Sequence, residues 1–344
     1  MGASERRREL GYLCVDDFVR DAVGARALAG AFELGLVDRL QQQSCTHAEL
    51  AERSRLDGRG LRLLLGLLHA NRVVEQAEGR VRLAAPFAAA LQYRDLLEAK
   101  LDFTAIVAPD FLESFTALLV DPERFFSTAK VFELFAYQRC FEPSADNYAN
   151  TARWMRITTA LTKYESAVCL ERHDFSRYAR MLDVGGNSGE FALRVCKRHP
   201  DIRATVYDLP LVCDIGAGHV GAEPEADRIA FVRADAAGGA LPPGHDLVTF
   251  KSMLHDWPDA GMRQFLARAY SALEPGGTLL IFERSLIEIG EAQLPYALIP
   301  LLLFFRSYRS PEDYANSLED AGFRGIRFEM IDLDMPFMLV SARK

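Results

Sequence analysis

Hydrophobic residues recur every three to four positions through much of the first half of the chain, a period that predicts α-helices. Residues 15–40 and 56–69 carry this pattern, and Thr46 followed by Glu49 predicts a capped helix start between them. Short apolar runs on either side of Glu78 and Gly79 predict the two strands of a hairpin. Three helices followed by a hairpin are the pattern of a winged-helix domain.

Residues 95–178 are predicted to be helical throughout, with breaks at Asp121 and Pro122 and at residues 142–144. This segment is rich in phenylalanine and tyrosine, and such a density of aromatic side chains usually indicates a hydrophobic core. The chain therefore has a helical middle part, and the patterns before and after it differ from each other.

The pattern changes at residue 180, where short apolar runs begin to alternate with helical segments. Residues 180–184 predict a buried strand and residues 191–195 the start of a helix. Between them stand Gly185, Gly186 and Gly189, which let the backbone turn tightly and approach a ligand. The N-terminus of the helix would then point at that ligand.

Acidic residues end the next two predicted strands. Residues 204–208 end in Asp208, and residues 229–235 end in Asp235. A carboxylate about 20 residues after the glycine turn can accept both hydroxyls of a ribose. A dinucleotide-binding unit would usually open its chain, whereas this one follows more than half of the sequence. The two acids therefore favour a nucleoside ligand without a pyrophosphate.

The remaining pattern predicts an α/β fold with a doubly wound sheet. A fourth strand at residues 246–251 runs into His255, and Ser310 with Pro311 predicts a capped helix through residue 320. The other predicted elements are a helix at 260–273, a turn at 274–277, a strand at 278–283, a helix at 292–305 and closing strands at 325–328 and 337–342.

Composition narrows the class of protein. A length of 344 residues suits two domains, and the net charge of -8 with a pI near 5.5 argues against nucleic-acid binding. No apolar run reaches the ~18 residues of a membrane span, and the N-terminus lacks the apolar core of a signal peptide. The six cysteines are scattered without metal-site spacing. We expect a reduced cytoplasmic protein with no metal site and no membrane partner.

Five motifs stand out in the second half of the chain. They are Leu182-Asp-Val-Gly-Gly-Asn-Ser-Gly189, Tyr207-Asp-Leu-Pro210, Ala234-Asp235, Lys251-Ser-Met-Leu-His-Asp-Trp-Pro-Asp259 and Leu273-Glu-Pro-Gly-Gly277. Together they resemble the S-adenosylmethionine-dependent small-molecule O-methyltransferases, a group that includes plant caffeate and flavonoid enzymes and bacterial polyketide-tailoring enzymes. The resemblance spans nearly the whole chain, and the His-Asp-Trp block makes it specific.

The resemblance implies a fold class and a division into domains. It implies a winged-helix, largely α-helical dimerisation domain at residues 1–95 and a Rossmann-like class I methyltransferase domain at residues 179–344. Between them, residues 96–178 would connect the two and form one wall of the acceptor pocket. A homodimer through the N-terminal domain is therefore expected instead of DNA recognition, since the third helix carries only Arg59 and Arg62 as basic side chains.

The family match also assigns the cofactor site for S-adenosylmethionine. The glycine turn should approach the methionine portion, Asp208 should take the ribose hydroxyls, and Asp235 with Ala236 should meet the adenine. Asp183 is expected to hold the glycine turn in place and not to touch ligand. The full expected set is Gly185, Gly186, Asp208, Leu209, Asp235, Ala236, Lys251, Ser252 and Trp257.

The reaction needs a base, because a phenol or enol attacks well only as its anion. A neutral imidazole near the hydroxyl is a natural base, and His255 lies just past the fourth strand, where ligands bind in such sheets. A histidine or a strand-end acid alone is more often structural. The adjacent Asp256 and Trp257 and the family match favour His255 as general base, with Glu283 orienting its imidazole.

One stretch departs from the family pattern. The family often has a second acid after two glycines. Within residues 304–310 of this chain, Tyr308 stands where that acid would be, and the glycines are missing. Arg306 and Arg309 either make the pocket cationic, which would suit an acidic acceptor, or are surface charges beside a helix start. Met155, Arg306 and Tyr308 are the predicted acceptor contacts.

Three other functions stay open from the sequence. N- or C-methylation of an enolisable acceptor would keep the fold and His255. A relative could also bind the cofactor and serve decarboxylation, hydroxylation or rearrangement, although His255 and Glu283 speak against it. A regulatory winged-helix protein is disfavoured by the acidic charge.

Overall fold

The computed structural model describes residues 15–54, 56–287 and 298–344. Within it the chain divides into two compact units, one ending at Val131 and the other beginning at Phe132. The three-part division at residues 95 and 178 stays a prediction about domains.

The first unit has the predicted order of helices and hairpin. The elements are α1 (Val15–Glu33), α2 (Leu36–Gln42), β1 (Cys45–Thr46), α3 (His47–Ser54), α4 (Gly58–Ala70), β2 (Val74–Ala77), β3 (Arg80–Leu83), α5 (Ala85–Ala90), α6 (Arg94–Val120) and α7 (Pro122–Thr128). The three short strands form an antiparallel sheet in the order β1-β3-β2. Leucine and valine side chains from α2, α4 and the sheet form much of the hydrophobic core of this unit.

Local chemistry explains where these elements begin and end. The backbone amide of Thr46 donates to Glu49, 2.7 Å away, and that of Glu49 donates back to the Thr46 hydroxyl, 3.2 Å away, so the predicted capping box is confirmed. Gly35 separates α1 from α2 with a φ of 69°. Glu78 and Gly79 both have positive φ, as a two-residue hairpin turn requires.

One helical stretch of this unit, Ala85–Val120, is long and apolar enough to cross a membrane by length and composition alone. It contains Pro109, and Asp110 accepts hydrogen bonds from the backbone amides of Lys130 and Val131. No uninterrupted apolar run within this stretch reaches the length of a membrane span, because charged residues such as Asp95, Glu98 and Lys100 divide it. Length and composition by themselves are weak indications of a membrane span.

The second unit is a seven-stranded sheet with helices on both faces. Its elements are α8 (Ala145–Arg172), β4 (Arg180–Val184), α9 (Glu190–Arg198), β5 (Arg203–Asp208), α10 (Pro210–Val220), β6 (Ile229–Arg233), β7 (His245–Lys251), α11 (Asp259–Ala272), β8 (Leu273–Arg284), α12 (Leu298–Phe304), α13 (Pro311–Asp320), β9 (Arg324–Asp332) and β10 (Pro336–Arg343). The strand order is β6-β5-β4-β7-β8-β10-β9. Strands β4 to β8 are parallel, and β10 runs antiparallel to both β8 and β9.

The two faces of this sheet carry two separate hydrophobic clusters. Met181 lies in one cluster and its neighbour Leu182 in the other, since successive side chains of a strand point to opposite faces. The predicted α/β fold with a doubly wound sheet is confirmed. Strands β5 and β7 pair with β4 on its two opposite edges. Sheets of this kind bind ligands in the crevice at the carboxyl ends of these strands.

Two sequence predictions differ from the observed elements. The predicted turn at residues 274–277 lies inside β8, because Gly276 and Gly277 exchange backbone hydrogen bonds with Lys344 at the end of the chain. Gly276 has a φ of 80°, so the bend that the glycines predicted is present within the strand. The predicted helix at 292–305 is described only from residue 298, as α12, and its first part falls outside the described residues.

Candidate active site

The glycine turn after β4 is confined by its neighbours. Gly185 and Gly189 have φ values of 67° and 75°, a region that favours glycine. A Cβ on Gly185 would lie 2.7 Å from Cγ of Met253, so the turn packs closely against the loop that follows β7. The helix α9 begins directly after Gly189, as the sequence predicted.

Asp208 holds this turn from the end of the neighbouring strand. One carboxylate oxygen accepts from the backbone amide of Asn187 at 2.8 Å, and the other accepts from that of Leu209 at 2.7 Å. Burial raises the pKa of Asp208 to about 6, although these two amides act to lower it. The residue is half-buried, so a ligand at the sheet edge can reach the carboxylate.

Asp183 lies against the glycine turn. Its Oδ1 accepts from the Thr249 hydroxyl at 2.7 Å, and its Oδ2 would lie 2.7 Å from a Cβ on Gly186. Burial raises the pKa of Asp183 to about 7. This placement leaves no room for a side chain at residue 186, and the expected supporting role of Asp183 stays a prediction.

The other predicted cofactor residues lie at the same edge of the sheet. Asp235 follows β6 and accepts from the Ala237 amide at 2.8 Å, while the Ala236 carbonyl accepts from Arg268. Ser252 follows β7 with a φ of 51°, and its hydroxyl is buried without a hydrogen-bond partner in the described part of the chain. Trp257 packs edge-on against Phe265.

Lys251 belongs to a buried ion-pair network that the sequence did not predict. Its ammonium is paired with Glu165 of α8 and donates to the Thr162 hydroxyl at 3.1 Å. Glu165 also accepts from Arg284 at 2.7 Å, so one carboxylate lies between two cations, all three almost fully buried. Burial alone would raise the pKa of Glu165, but the two cations outweigh it and lower the pKa to about 2.

His255 and Glu283 come together as predicted. His255 lies on a short 3-10 helix after β7, and its Nδ1 is 2.8 Å from Oε1 of Glu283 at the end of β8. The second oxygen of Glu283 accepts from the Tyr314 hydroxyl of α13. If Nδ1 carries the proton donated to Glu283, the lone pair of Nε2 faces away from the carboxylate.

Two carboxylates raise the pKa of this histidine. Burial acts to lower the pKa of His255, but Asp256 and Glu283 outweigh it, so the pKa is raised above its ordinary value. Oδ1 of Asp256 lies 3.4 Å from Nε2, on the side of the ring opposite Glu283. Asp256 itself accepts from the Tyr137 hydroxyl at 2.7 Å.

Arg309 and Arg306 have different surroundings. Arg309 donates to the backbone carbonyls of Leu254 and Trp257, at 3.1 and 2.6 Å, and pairs with Asp259 at 2.8 Å. It therefore holds the His255 loop, a role that neither of the two sequence interpretations gave it. Arg306 is exposed and lies over the ring of Phe305.

Tyr308 contacts the histidine with its ring. Its centroid lies 5.4 Å from that of His255, and Phe304 lies 5.3 Å away on a T-shaped contact. The Tyr308 hydroxyl donates to the Pro300 carbonyl at 3.3 Å, so it does not replace the missing acid. Met155 is only 2% exposed, and its contact with an acceptor stays a prediction.

Sequence reasoning missed Tyr137, Glu165 and Tyr314 on helical segments and Arg284 at the end of β8. The three helical residues reach the sheet edge only through packing. Tyr137 belongs to the aromatic-rich segment, where its ring alone predicts a core position. No motif marks the hydroxyl of a tyrosine as a partner of a distant carboxylate.

Comparisons with known proteins identify the family. A family model for the O-methyltransferase domain matches residues 120–324. The 3-hydroxy-5-methyl-1-naphthoate 3-O-methyltransferase of Streptomyces sahachiroi is 29% identical over 88% of this chain and 86% of its own length.

Solved structures show the same fold. The human N-acetylserotonin methyltransferase in complex with S-adenosylmethionine aligns with a TM-score of 0.77 and 24% identity, covering 100% of this chain and 99% of that one. The mitomycin 7-O-methyltransferase aligns with a TM-score of 0.74 and 26% identity, covering 96% and 97%.

Proposed function

We propose, from the premise that this chain belongs to the S-adenosylmethionine-dependent O-methyltransferase family, that it methylates a hydroxyl group on a small aromatic or polyketide-like secondary metabolite. His255 is the proposed general base, and Glu283 orients its imidazole. The observation that supports this assignment is the 2.8 Å contact between Nδ1 of His255 and Glu283 at the ligand-binding edge of the sheet.

The residues at the sheet edge fit the cofactor. The hydroxyl of Ser252 is buried and unpaired among the described residues, which leaves a donor for a ligand beside the glycine turn. The half-buried Asp208 carboxylate keeps lone pairs for two ribose hydroxyls after accepting two amides. Asp235 and Ala236 would meet the adenine. The backbone of Gly185 and Gly186 would approach the methionine portion, with the Gly185 amide already donating to the Tyr207 carbonyl at 2.9 Å.

S-adenosylmethionine supplies a methyl group that its sulfonium centre has already activated. The protein therefore has two tasks, which are to position the acceptor and to remove its proton. Nε2 of His255 takes that proton from the acceptor hydroxyl. The imidazolium that forms is stabilised by Glu283 at Nδ1, and the donation from Tyr314 keeps this carboxylate in place.

Aromatic rings around the base support a planar acceptor. Phe304 and Tyr308 contact the His255 ring, and Phe135 packs against Phe304 with its centroid 5.4 Å away. Flat apolar surfaces of this kind bind aromatic ligands by stacking and edge contacts. The exposed Arg306 lines the same cleft as His255 and is the remaining candidate for an acidic substituent of the acceptor.

An acceptor panel tests the function directly. Phenols, hydroxynaphthoates, enols and aryl amines are incubated with S-adenosylmethionine that carries a labelled methyl group, and products are identified by mass spectrometry. We expect label on the oxygen of a phenolic or enolic acceptor. Label found only on nitrogen or carbon would support the alternative methyltransferase functions, and cofactor binding without transfer to any acceptor class would support a non-methylating relative.

Asp208→Asn is expected to weaken S-adenosylmethionine binding by about 1 to 3 kcal/mol, because the amide cannot accept two ribose hydroxyls as the carboxylate does. Calorimetry measures this change. Asp246→Asn is the matched control, since Asp246 also accepts two backbone amides, those of Ala179 and Arg180, at the opposite end of the sheet. Equal losses in the two variants would remove Asp208 from the cofactor site.

We further propose a cytoplasmic homodimer formed through the N-terminal domain. Val23, Leu34 and Leu63 of this domain are exposed and line one apolar groove, and Leu63 is 67% exposed. An exposed apolar groove of this kind marks an interaction surface, and a second copy would cover it. Sedimentation should give a dimer in detergent-free buffer. A monomer would contradict the proposal, and binding to lipid vesicles would favour a membrane surface.

A further inference from the structure

We infer that Tyr137 is a positioning residue for the proposed base, because it holds the Asp256 carboxylate against Nε2 of His255. This inference rests on the proposed function, in which His255 removes the acceptor's proton. It assigns to the helical segment a part in orienting the base through Asp256, beside the pocket wall expected of this segment.

A single carboxylate joins the two side chains. The Tyr137 hydroxyl donates to Oδ2 of Asp256 at 2.7 Å, while Oδ1 of the same carboxylate lies 3.4 Å from Nε2 of His255. The first distance is a hydrogen bond, and the second is an ion-pair distance once the imidazole is protonated. With Tyr137 attached, the carboxylate keeps the orientation in which it stabilises an imidazolium.

The position of Tyr137 is set by α8 and not by the His255 loop. Its ring packs against Trp154 of α8, with centroids 5.5 Å apart. Two residues later, Arg139 donates to the carbonyls of Glu133 and Leu134 and, at 3.2 Å, to the Thr151 hydroxyl of α8. The hydroxyl of Tyr137 is therefore a fixed point to which Asp256 attaches.

The Asp256 carboxylate matters because Tyr308 stands at the position expected for a second acid, and its hydroxyl donates to the Pro300 carbonyl. The charged and titratable groups facing His255 in the described residues are Glu283 and Arg284 from β8, Tyr308 after α12, and Asp256. Asp256 raises the pKa of His255, whereas Arg284 lowers it. Burial raises the pKa of Asp256 itself, and the hydrogen bond from Tyr137 opposes this by favouring the ionised carboxylate.

A double-mutant cycle on Tyr137→Phe and Asp256→Asn tests the inference without any acceptor. The ring signals of His255 are titrated by NMR in the cofactor-free protein and assigned by their loss in His255→Ala. We expect Asp256→Asn to lower the pKa of His255, and Tyr137→Phe to lower it less, since the released carboxylate turns toward water. Tyr137→Phe should add nothing in the Asp256→Asn background. Tyr148→Phe, an exposed tyrosine on α8, is the control and should leave the pKa unchanged.

Kinetics supply the second readout. Tyr137→Phe should reduce kcat about tenfold, the loss expected for one hydrogen bond to a charged group, with KM nearly unchanged. The same substitution in the Asp256→Asn background should have no further effect on kcat. Equal losses in both backgrounds, a rise in KM alone, or a raised pKa of His255 in Tyr137→Phe would each overturn the inference. A wild-type protein that methylates no acceptor would contradict the proposed function, while the NMR cycle would still decide the role of Tyr137.

Discussion

His255→Ala should lose about 10²- to 10⁴-fold in turnover while S-adenosylmethionine binding stays nearly unchanged, because general-base removal of the acceptor proton contributes about that much to such reactions. Nε2 of His255 is the proposed proton acceptor, and the predicted cofactor contacts lie on other side chains. Calorimetry measures cofactor affinity, and product formation measures turnover. Unchanged turnover would refute the base assignment.

Glu283→Gln removes the charge of this side chain and keeps its size. The activity needs neutral His255, so it should fall as the pH drops through the pKa of that residue, which Asp256 and Glu283 raise. Removing the Glu283 charge should lower this pKa and move the acid limb of the pH profile to lower pH. An acid limb that does not move would show that Glu283 does not control the protonation of His255.

Glu165→Gln should lower the free energy of unfolding by about 3 to 5 kcal/mol, the cost of leaving a buried charge without its partner. Here two cations lose their partner, since Lys251 and Arg284 both pair with Glu165 and their side chains are only 8% and 7% exposed. Chemical denaturation at neutral pH measures the change. Glu329→Gln is the matched control, because Glu329 pairs with Arg172 at 2.9 Å but is 44% exposed. That surface pair should contribute at most about 1 kcal/mol.

The pH dependence of the same carboxylate gives an independent check. The pKa of Glu165 is lowered to about 2 from an ordinary value near 4.5, so its contribution to stability is fully present above about pH 4.5. It should be lost as the pH falls from there toward 2. The stability difference between wild type and Glu165→Gln should therefore shrink over that window. A constant difference would contradict the buried triad.

The sequence predicted the elements of both units well because their signals are local. The apolar run of residues 180–184, the glycines that follow it, and the capping residues Thr46 and Ser310 each act within a few positions of the chain. The predicted turn at residues 274–277 was wrong as an element boundary. Its glycines bend the chain as predicted, but pairing with Lys344 at the far end of the sequence keeps them in a strand.

The residues of the site also fall into those that the sequence predicted and those that only the tertiary structure showed. By itself the sequence placed the glycine turn, Asp208, His255 and Glu283 at the ends of parallel strands, where topology brings them to one edge. Only the tertiary structure paired Tyr137 with Asp256, 119 positions away, and Lys251 with Glu165, 86 positions away. It also made Arg309 a support of the His255 loop, where the sequence left an acceptor contact or a surface charge. The physical reason is range: periodicity and capping depend on neighbours along the chain, whereas a buried ion pair depends on which helix packs over which strand.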